Sequence, residues 1–351
     1  MNRHEKALEI LRHGTVIPAT TLALNDDGSF NEARQRLLIR YYLEAGAGGI
    51  ATAVHSTQFE IRKPEFNLFE RVISIVTDEI DRYESETGKV ILKVCGVCGP
   101  AEQAVREAEL ARSLGFDAVL VSPGGLAHLT EEEMLERARK VAEVLPIIGF
   151  YLQTAVGGRV FTYDFWCKLA QIPNLKAIKC ASFNRYTTLD VMRAITLSGR
   201  ADEIALYTGN DDNIVVDLLT NYRFTIDGKT YTNRFRGGLL GHWSVWTHKV
   251  VELFEELRTA SASDDYLTLA AEITDCNAVF FDAANAFKGC IPGMHEILRR
   301  QGLVKSIRCL NPEEILSPGQ AEEIDRVYAM YPHLNDDAFV KAFLARHPMD
   351  K

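Results

Sequence analysis

The chain has no apolar run long enough to cross a bilayer; stretches such as Ala118 to Val121 fall far short of the ~20 residues a spanning helix needs. The opening MNRHEKALEILRHG is amphipathic and charged where a secretory signal carries an apolar segment, so the expected compartment is the cytoplasm. No block or stripe of Lys and Arg occurs, and 39 basic against 48 acidic residues leave a net charge of −9. That balance argues against nucleic acid or an anionic membrane surface as partner, although a local cationic pocket stays compatible with it. Cysteine is sparse: the seven are scattered and odd in number, which suits a reducing compartment better than a disulfide framework. Low-complexity segments and flexible linkers are absent too, so nothing marks off an independent second domain.

What the chain does have is apolar content, 47% of 351 residues, enough for a core of barrel size. After a first helix it repeats one unit: a β-prone apolar run, a break with Gly, Ser or Pro, then a helical run. The runs are GTVIPATT from Gly14, GGIATAV from Gly48, KVILKVC from Lys89, DAVLV from Asp117, PIIGFY from Pro146, LKAIK from Leu175, EIALYT from Glu203 and a last one near Arg236. Between them apolar residues recur at three and four, as at Ala101, Ala104, Val105, Ala108 and Ala111. Pro64 and Pro100 stand where a first helical turn accepts proline, and Thr130 with Glu133 has the form of a capping box.

Strand–helix alternation with eight strands predicts an α/β protein, a (β/α)8 TIM barrel over residues 1–260. Asp227-Gly228 inside RFTIDGKTYTNRF predicts a β-hairpin inserted near 223–235, between the seventh and eighth barrel strands. Past residue 260 the strand signal stops and four segments of helical periodicity follow, so 261–351 is expected to be an α-helical C-terminal extension packed on the barrel.

In such a barrel, catalytic groups gather at the C-terminal ends of the strands. Alternation along LKAIK puts Lys179 on an inward face with Leu175 and Ala177, and along PIIGFY it suggests Tyr151 with Ile147 and Gly149. An amine beside a phenol in apolar surroundings suits Schiff-base chemistry, because desolvation frees the lysine lone pair and a phenol can move protons at the carbinolamine. The same residue types also suit a lysine reaching for solvent and a core aromatic.

Several segments, in order from about Gly14 to about Gln320, resemble the dihydrodipicolinate synthase and N-acetylneuraminate lyase family of class I aldolases: GTVIPATT with DDGS, EAGAGGI leading to HST, LGFDAVLVSP, PIIGFY, NLKAIKCAS, YTGND and RRQGLVKSIRCLNP. The resemblance implies a Schiff-base lysine at Lys179, a catalytic tyrosine at Tyr151, carboxylate binding by Ser56-Thr57, and a homo-oligomer, tetramer or dimer. It implies no metal and no cofactor. The chain also departs from the family's pattern. His55 replaces the glycine before Ser56, Gln58-Phe59 replaces Gly-Glu, Pro123-Gly124-Gly125 lacks the aromatic after the fourth-strand proline, and Val156 stands where the synthases keep an arginine. Arg159 is too far along to take that place. These departures disfavour dihydrodipicolinate synthesis, and the turn AVGG resembles the lyase and keto-sugar-acid side of the family.

The expected activity is therefore reversible aldol cleavage of a small 2-oxo acid substrate. A dehydratase of a 2-keto-3-deoxy sugar acid and a non-catalytic oxo-acid-binding homologue are the alternatives. His55, beside Ser56, and His242, after the glycine-rich eighth strand, are further candidates for substrate contact, His242 and Trp243 being equally compatible with packing. Cys95 and Cys98 have zinc-like spacing without a second pair, and read as buried or loop cysteines. Asn210-Asp211-Asp212 reads as a helix cap, and Gly237, Gly238 and Gly241 as points of close backbone approach.

Overall fold

The computed structural model describes residues 1–349. Eight parallel strands form the barrel: β1 Val16–Pro18, β2 Gly49–Thr52, β3 Leu92–Val97, β4 Ala118–Val121, β5 Ile147–Leu152, β6 Leu175–Ala181, β7 Ala205–Thr208 and, after the hairpin strands β8 Tyr222–Ile226 and β9 Lys229–Asn233, β10 Gly237–Leu240. Each is hydrogen-bonded to its neighbour in the order β1-β10-β7-β6-β5-β4-β3-β2, and a bridge between Ala19 and Ala51 brings the two ends of the sheet together. All eight predicted runs form barrel strands, the first shorter than its apolar stretch. They form strands because nearly every residue is buried, with helices covering the outer face and side chains filling the inner one. The inner set includes Ile17, Leu92, Val94, Leu120, Ile148, Ala177 and Leu239.

The N-terminal end is closed by the helix Arg3–His13, whose Ala7 and Leu11 join that inner cluster. Tyr207 donates its hydroxyl to the Leu11 carbonyl at 2.8 Å, and Arg3 bridges Asp117 at 2.6 Å and Glu84 at 2.8 Å. Thr130 and Glu133 form the capping box of the helix Glu131–Ala142, and Pro100 caps Ala101–Ser113. Pro64 differs from expectation. It lies in a turn before the helix Phe69–Thr87, where the Phe66 amide closes back on the Lys63 carbonyl.

Asp227 and Gly228 both have positive φ, 50° and 75°, the geometry a two-residue hairpin turn requires, and β8 and β9 pair antiparallel from Tyr222↔Asn233 to Ile226↔Lys229. The extension consists of helices Asp264–Phe280, Cys290–Arg300, Gln320–Met330 and Asp337–Arg346. It shares a second core with the barrel helix Glu32–Glu44, in which Tyr41, Tyr42, Trp246, Phe280, Ile297 and Phe343 are buried. Tyr41 donates to Asp336 at 2.6 Å and accepts from the Thr247 amide at 2.8 Å, tying the extension to the barrel at a buried point. The segment from Phe281 to Met294 thereby crosses the C-terminal mouth of the barrel. Among the described residues no helix is long and apolar enough to cross a membrane.

Candidate active site

Lys179 stands near the end of β6 and is 8% exposed, its amine facing a cavity of about 60 Å³ at the barrel mouth. Its side chain runs beside Gly209, where a Cβ would come within 2.7 Å of Lys179 Cε, so only glycine leaves room for the lysine to reach the cavity. Burial lowers its pKa from the usual lysine range to about 8, against the opposing pull of Asp211. No described side chain hydrogen-bonds to the amine; its close neighbour is the Phe150 ring, with the centroid 4.5 Å away.

That neighbour corrects the sequence reading of β5. In the register between the strands Phe150 pairs with Lys179 and Tyr151 with Cys180, so Tyr151 lies on the opposite face. Ile148, Phe150 and Leu152 point inward. Tyr151 instead packs in the outer layer against Trp166, with ring centroids 5.1 Å apart, and against Phe161 at 5.9 Å. A β-strand buried on both faces shows no polar–apolar alternation to fix its parity, and a one-residue error reverses every side chain. The register also slips between β5 and β6, where Ile147 and Ile148 face Leu175 and Ala177. Counting from Leu175 to Lys179 crosses that irregularity. The phenol expected beside the amine is absent, and a phenyl ring stands in its place.

Asp211, two residues beyond Gly209, lines the same cavity and is 5% exposed. The sequence reading made it part of a helix cap. The structure instead fixes Oδ1 with the His242 amide at 3.0 Å and turns the carboxylate towards the cavity. Burial raises its pKa to about 7, in spite of that hydrogen bond and the Lys179 charge, both of which act the other way. The loop is held from below by the buried Asp217, which accepts from Arg185 at 2.6 Å, Thr208 at 2.7 Å, and the side-chain amides of Asn210 and Asn213 at 2.9 Å each. Asn210 in turn accepts from the Phe183 amide at 3.1 Å, joining the loops after β6 and β7.

Across the barrel from β6, the loop after β2 contributes His55 and Ser56. The Ser56 hydroxyl donates to the Ala19 carbonyl at 2.7 Å. Thr57 is fully buried behind it, its hydroxyl donating to the Thr20 carbonyl at 2.8 Å and its amide to Val54 at 3.0 Å. Thr57 therefore fastens this loop to β1 and does not line the cavity, a correction to its place in the expected Ser/Thr pair. Burial and the Lys179 charge lower the His55 pKa to about 4, so its imidazole is neutral near pH 7. Gln58 spans to the tail, where its Oε1 accepts from the Leu310 amide at 2.5 Å. The departure from the family at Gln58 thus serves to dock the segment RCLNP against the site.

His242 is corrected as well. It is buried away from the Lys179 cavity, beside Phe280 and Asn277. Its contribution to the site is the backbone amide on Asp211. The remaining wall is apolar except for Gln153 and comes largely from distant sequence: Phe183, Phe281, Phe287 and Met294, with Val156 beside Gln153. Arg159 points elsewhere, donating to the Leu129 carbonyl and covering the Phe161 ring. Gly241 also lines the cavity, and a Cβ there would meet Phe281 at 2.8 Å, in keeping with close approach. Cys95 and Cys98 are free and buried, and among the described residues no cluster of His, Cys, Asp or Glu is placed to hold a metal ion.

Comparison with known proteins covers most of this architecture. The profile of the dihydrodipicolinate synthetase family matches residues 12–221. A 4-hydroxy-tetrahydrodipicolinate synthase of Clostridium novyi (strain NT) is 27% identical over 196 residues, which cover 54% of this chain and 60% of that protein. One from Bifidobacterium longum (strain DJO10A) is 27% identical over 216 residues, 60% of this chain and 65% of that one. The chain thus spans less than two thirds of the length of these curated relatives. Among solved structures, dihydrodipicolinate synthase from Oceanobacillus iheyensis superposes with a TM-score of 0.73 at 16% identity, covering 93% of this chain and 99% of that one. N-acetylneuraminate lyase from Fusobacterium nucleatum gives 0.70 at 16% identity, covering 91% and 99%. At such identity these two likenesses establish the fold.

Proposed function

The chain belongs to the dihydrodipicolinate synthetase family, and from that premise we propose that it is a lyase in which Lys179 forms a Schiff base with the keto group of a small 2-oxo acid. The observation that carries this reading is the Lys179 amine, buried without a hydrogen-bonding partner at a strand end that faces the cavity at the barrel mouth. A structural lysine at such a place would be paired or would reach water. Here burial favours the neutral amine, whose lone pair attacks a carbonyl carbon.

The resulting iminium withdraws electrons from the bond between its alpha and beta carbons, which breaks to release the beta carbon as an aldehyde and leave an enamine. Ser56, on the opposite side of the mouth, would bind the oxo-acid carboxylate by turning its hydroxyl from the Ala19 carbonyl to the substrate, with His55 beside it. The walls from Phe150, Val156, Phe183, Phe281, Phe287 and Met294 suit an apolar aldehyde half. They offer few partners to a polyhydroxylated chain, whose hydroxyls would lose hydrogen bonds on entry, so aldol cleavage is favoured over dehydration of a sugar acid. Homo-oligomerisation belongs to the same proposal and is read by light scattering at micromolar concentration.

Incubation with pyruvate, 2-oxobutyrate or phenylpyruvate and borohydride, followed by intact mass and peptide mapping, tests the reading. The expected result is one reduced adduct on Lys179. Binding of an oxo acid without any trapped adduct would instead make the protein a non-catalytic binder.

A further inference from the structure

We propose that Asp211 is the catalytic acid and base of this cavity, exchanging protons with Lys179 and with the bound oxo acid. The proposal rests on the Schiff-base reading above and deepens it.

The geometry singles out Asp211. Phe150 occupies the β5 position facing Lys179, and Tyr151 points into the outer layer, so no phenol reaches the amine. The ionisable groups on the cavity wall besides Lys179 are Asp211, His55 and Cys290. β7 lies next to β6, and the lysine stem packs on Gly209, so Asp211 projects from the same side of the mouth as the amine. His55 follows β2, across the barrel, and Cys290 comes from the extension above. Oδ1 of Asp211 is held by the His242 amide, while the carboxylate and the amine face the cavity without forming an ion pair, an arrangement that leaves substrate atoms room between them. Their ionisation supports the assignment. Asp211 is present in both protonation states near pH 7, whereas His55 is neutral there and burial holds the Cys290 thiol far above its usual range.

Each step then balances. The Asp211 carboxylate takes a proton from the Lys179 ammonium through a water between them, and the freed lone pair forms a C–N bond to the keto carbon while the carbonyl π electrons move to oxygen. That oxygen acquires one of the two remaining amine protons, giving the carbinolamine, and the other stays on nitrogen. The Asp211 carboxylic acid returns its proton to the new hydroxyl, which leaves as water as the nitrogen lone pair forms the iminium. In cleavage, the carboxylate accepts the proton of the hydroxyl beta to the iminium carbon; the C–C bond breaks, the aldehyde forms, and the electron pair becomes the enamine. Protonation of the enamine carbon by Asp211 and hydrolysis restore the starting state. With pyruvate alone, the same carboxylate removes and returns a methyl proton.

The test follows methyl-proton exchange of pyruvate in deuterated water by NMR, alongside borohydride trapping, for wild type, Asp211→Asn and Asp211→Ser; 2-oxobutyrate and phenylpyruvate serve as further probes. An asparagine keeps an acceptor for the His242 amide and so preserves the loop, and the serine variant stands in should the amide fail to fold. The expected result is a trapped adduct on the variant with exchange slowed about a hundredfold or more, the range lost with a general acid–base group. An adduct with exchange within about threefold of wild type would overturn the role of Asp211 while leaving the Schiff base standing. Absence of an adduct on wild-type protein from all three oxo acids would overturn the Schiff-base reading and this proposal with it.

Discussion

The Phe150 ring and the Lys179 ammonium face each other across the β5–β6 pair, with 4.5 Å between the nitrogen and the ring centroid. A ring face attracts the charged form of an amine, whereas the apolar volume of the ring removes water from it. Burial is the larger effect, since the Lys179 pKa falls.

Truncation of that ring should therefore raise the amine pKa by admitting water. In Phe150→Ala, the pH at which borohydride trapping reaches half its maximal rate should move upward from about 8 towards the ordinary lysine range. Tyr151→Phe, a change in the outer layer, should leave the trapping profile where it is. If Tyr151→Phe moved the profile and Phe150→Ala did not, the placement of the two rings would be wrong.

The trapping rate should itself carry the Lys179–Asp211 interaction. The amine must be neutral to attack, so the wild-type rate should decline as pH falls below about 8. The Asp211 charge opposes that lowering; in Asp211→Asn burial acts alone and the acidic limb should move to lower pH. Stability gives the complementary sign. The folded-state pKa of Asp211 is raised from 3.8 to about 7, so its favourable contribution is complete below 3.8 and disappears as pH rises through 7. Melting temperatures of wild type relative to Asp211→Asn should accordingly fall between about pH 4 and 7; a flat difference would count against a buried carboxylate there.

Much of this was legible in the sequence, and the losses have physical causes. Eight apolar runs and the Asp227-Gly228 turn report local preferences, and the barrel and hairpin follow from them. The inward face of Lys179 at the end of β6 was legible from its alternation with Ala177. The face of Tyr151 was not, because β5 is buried on both sides. Asp211 and His242 were misplaced for another reason: loop carboxylates and histidines take their direction from contacts such as the His242 amide on Asp211, which join residues 31 apart. The wall formed by Phe281, Phe287 and Met294, and the Gln58–Leu310 hydrogen bond across 252 residues, are products of tertiary packing that no local pattern carries.

Asp217 should be the structural keystone of the β7 loop. It is fully buried and accepts five side-chain hydrogen bonds, the longest from Tyr222 at 3.4 Å, so Asp217→Ala would strand the donors Thr208, Asn210, Asn213 and Tyr222 and leave the partly exposed Arg185 only its looser contact with Asp212 at 3.8 Å. Breaking a buried charged network of this kind costs about 3–5 kcal/mol, with the lower end expected here because Arg185 remains partly solvated. Chemical denaturation should show that loss of stability, and trapping by the folded fraction should be slowed because Asp211 rides on the same loop. A change below about 0.5 kcal/mol, the scale of ordinary surface substitutions, would show that the network contributes little.

Specificity for the second half of the substrate should turn on Val156. Its side chain lines the cavity that Lys179 faces, and Arg159, the nearest arginine along the chain, is committed to the Leu129 carbonyl and the Phe161 ring. A carboxylate brought to this wall would give up its hydration and meet no cation besides Lys179 itself, with only the neutral side-chain amide of Gln153 as a donor nearby. The loss of one charged hydrogen-bond partner is worth about 1.5–3 kcal/mol, equivalent to a roughly ten- to hundredfold preference. In the condensation direction with pyruvate, kcat/KM should accordingly be higher for neutral, apolar aldehydes than for aspartate semialdehyde. Val156→Arg should narrow that gap, because a guanidinium at the rim supplies the missing donors while the Phe281, Phe287 and Met294 side of the wall is unchanged. Equal turnover of the semialdehyde by the wild-type protein would mean that a cationic group reaches the aldehyde half from another direction, and Val156→Arg would then bring no gain.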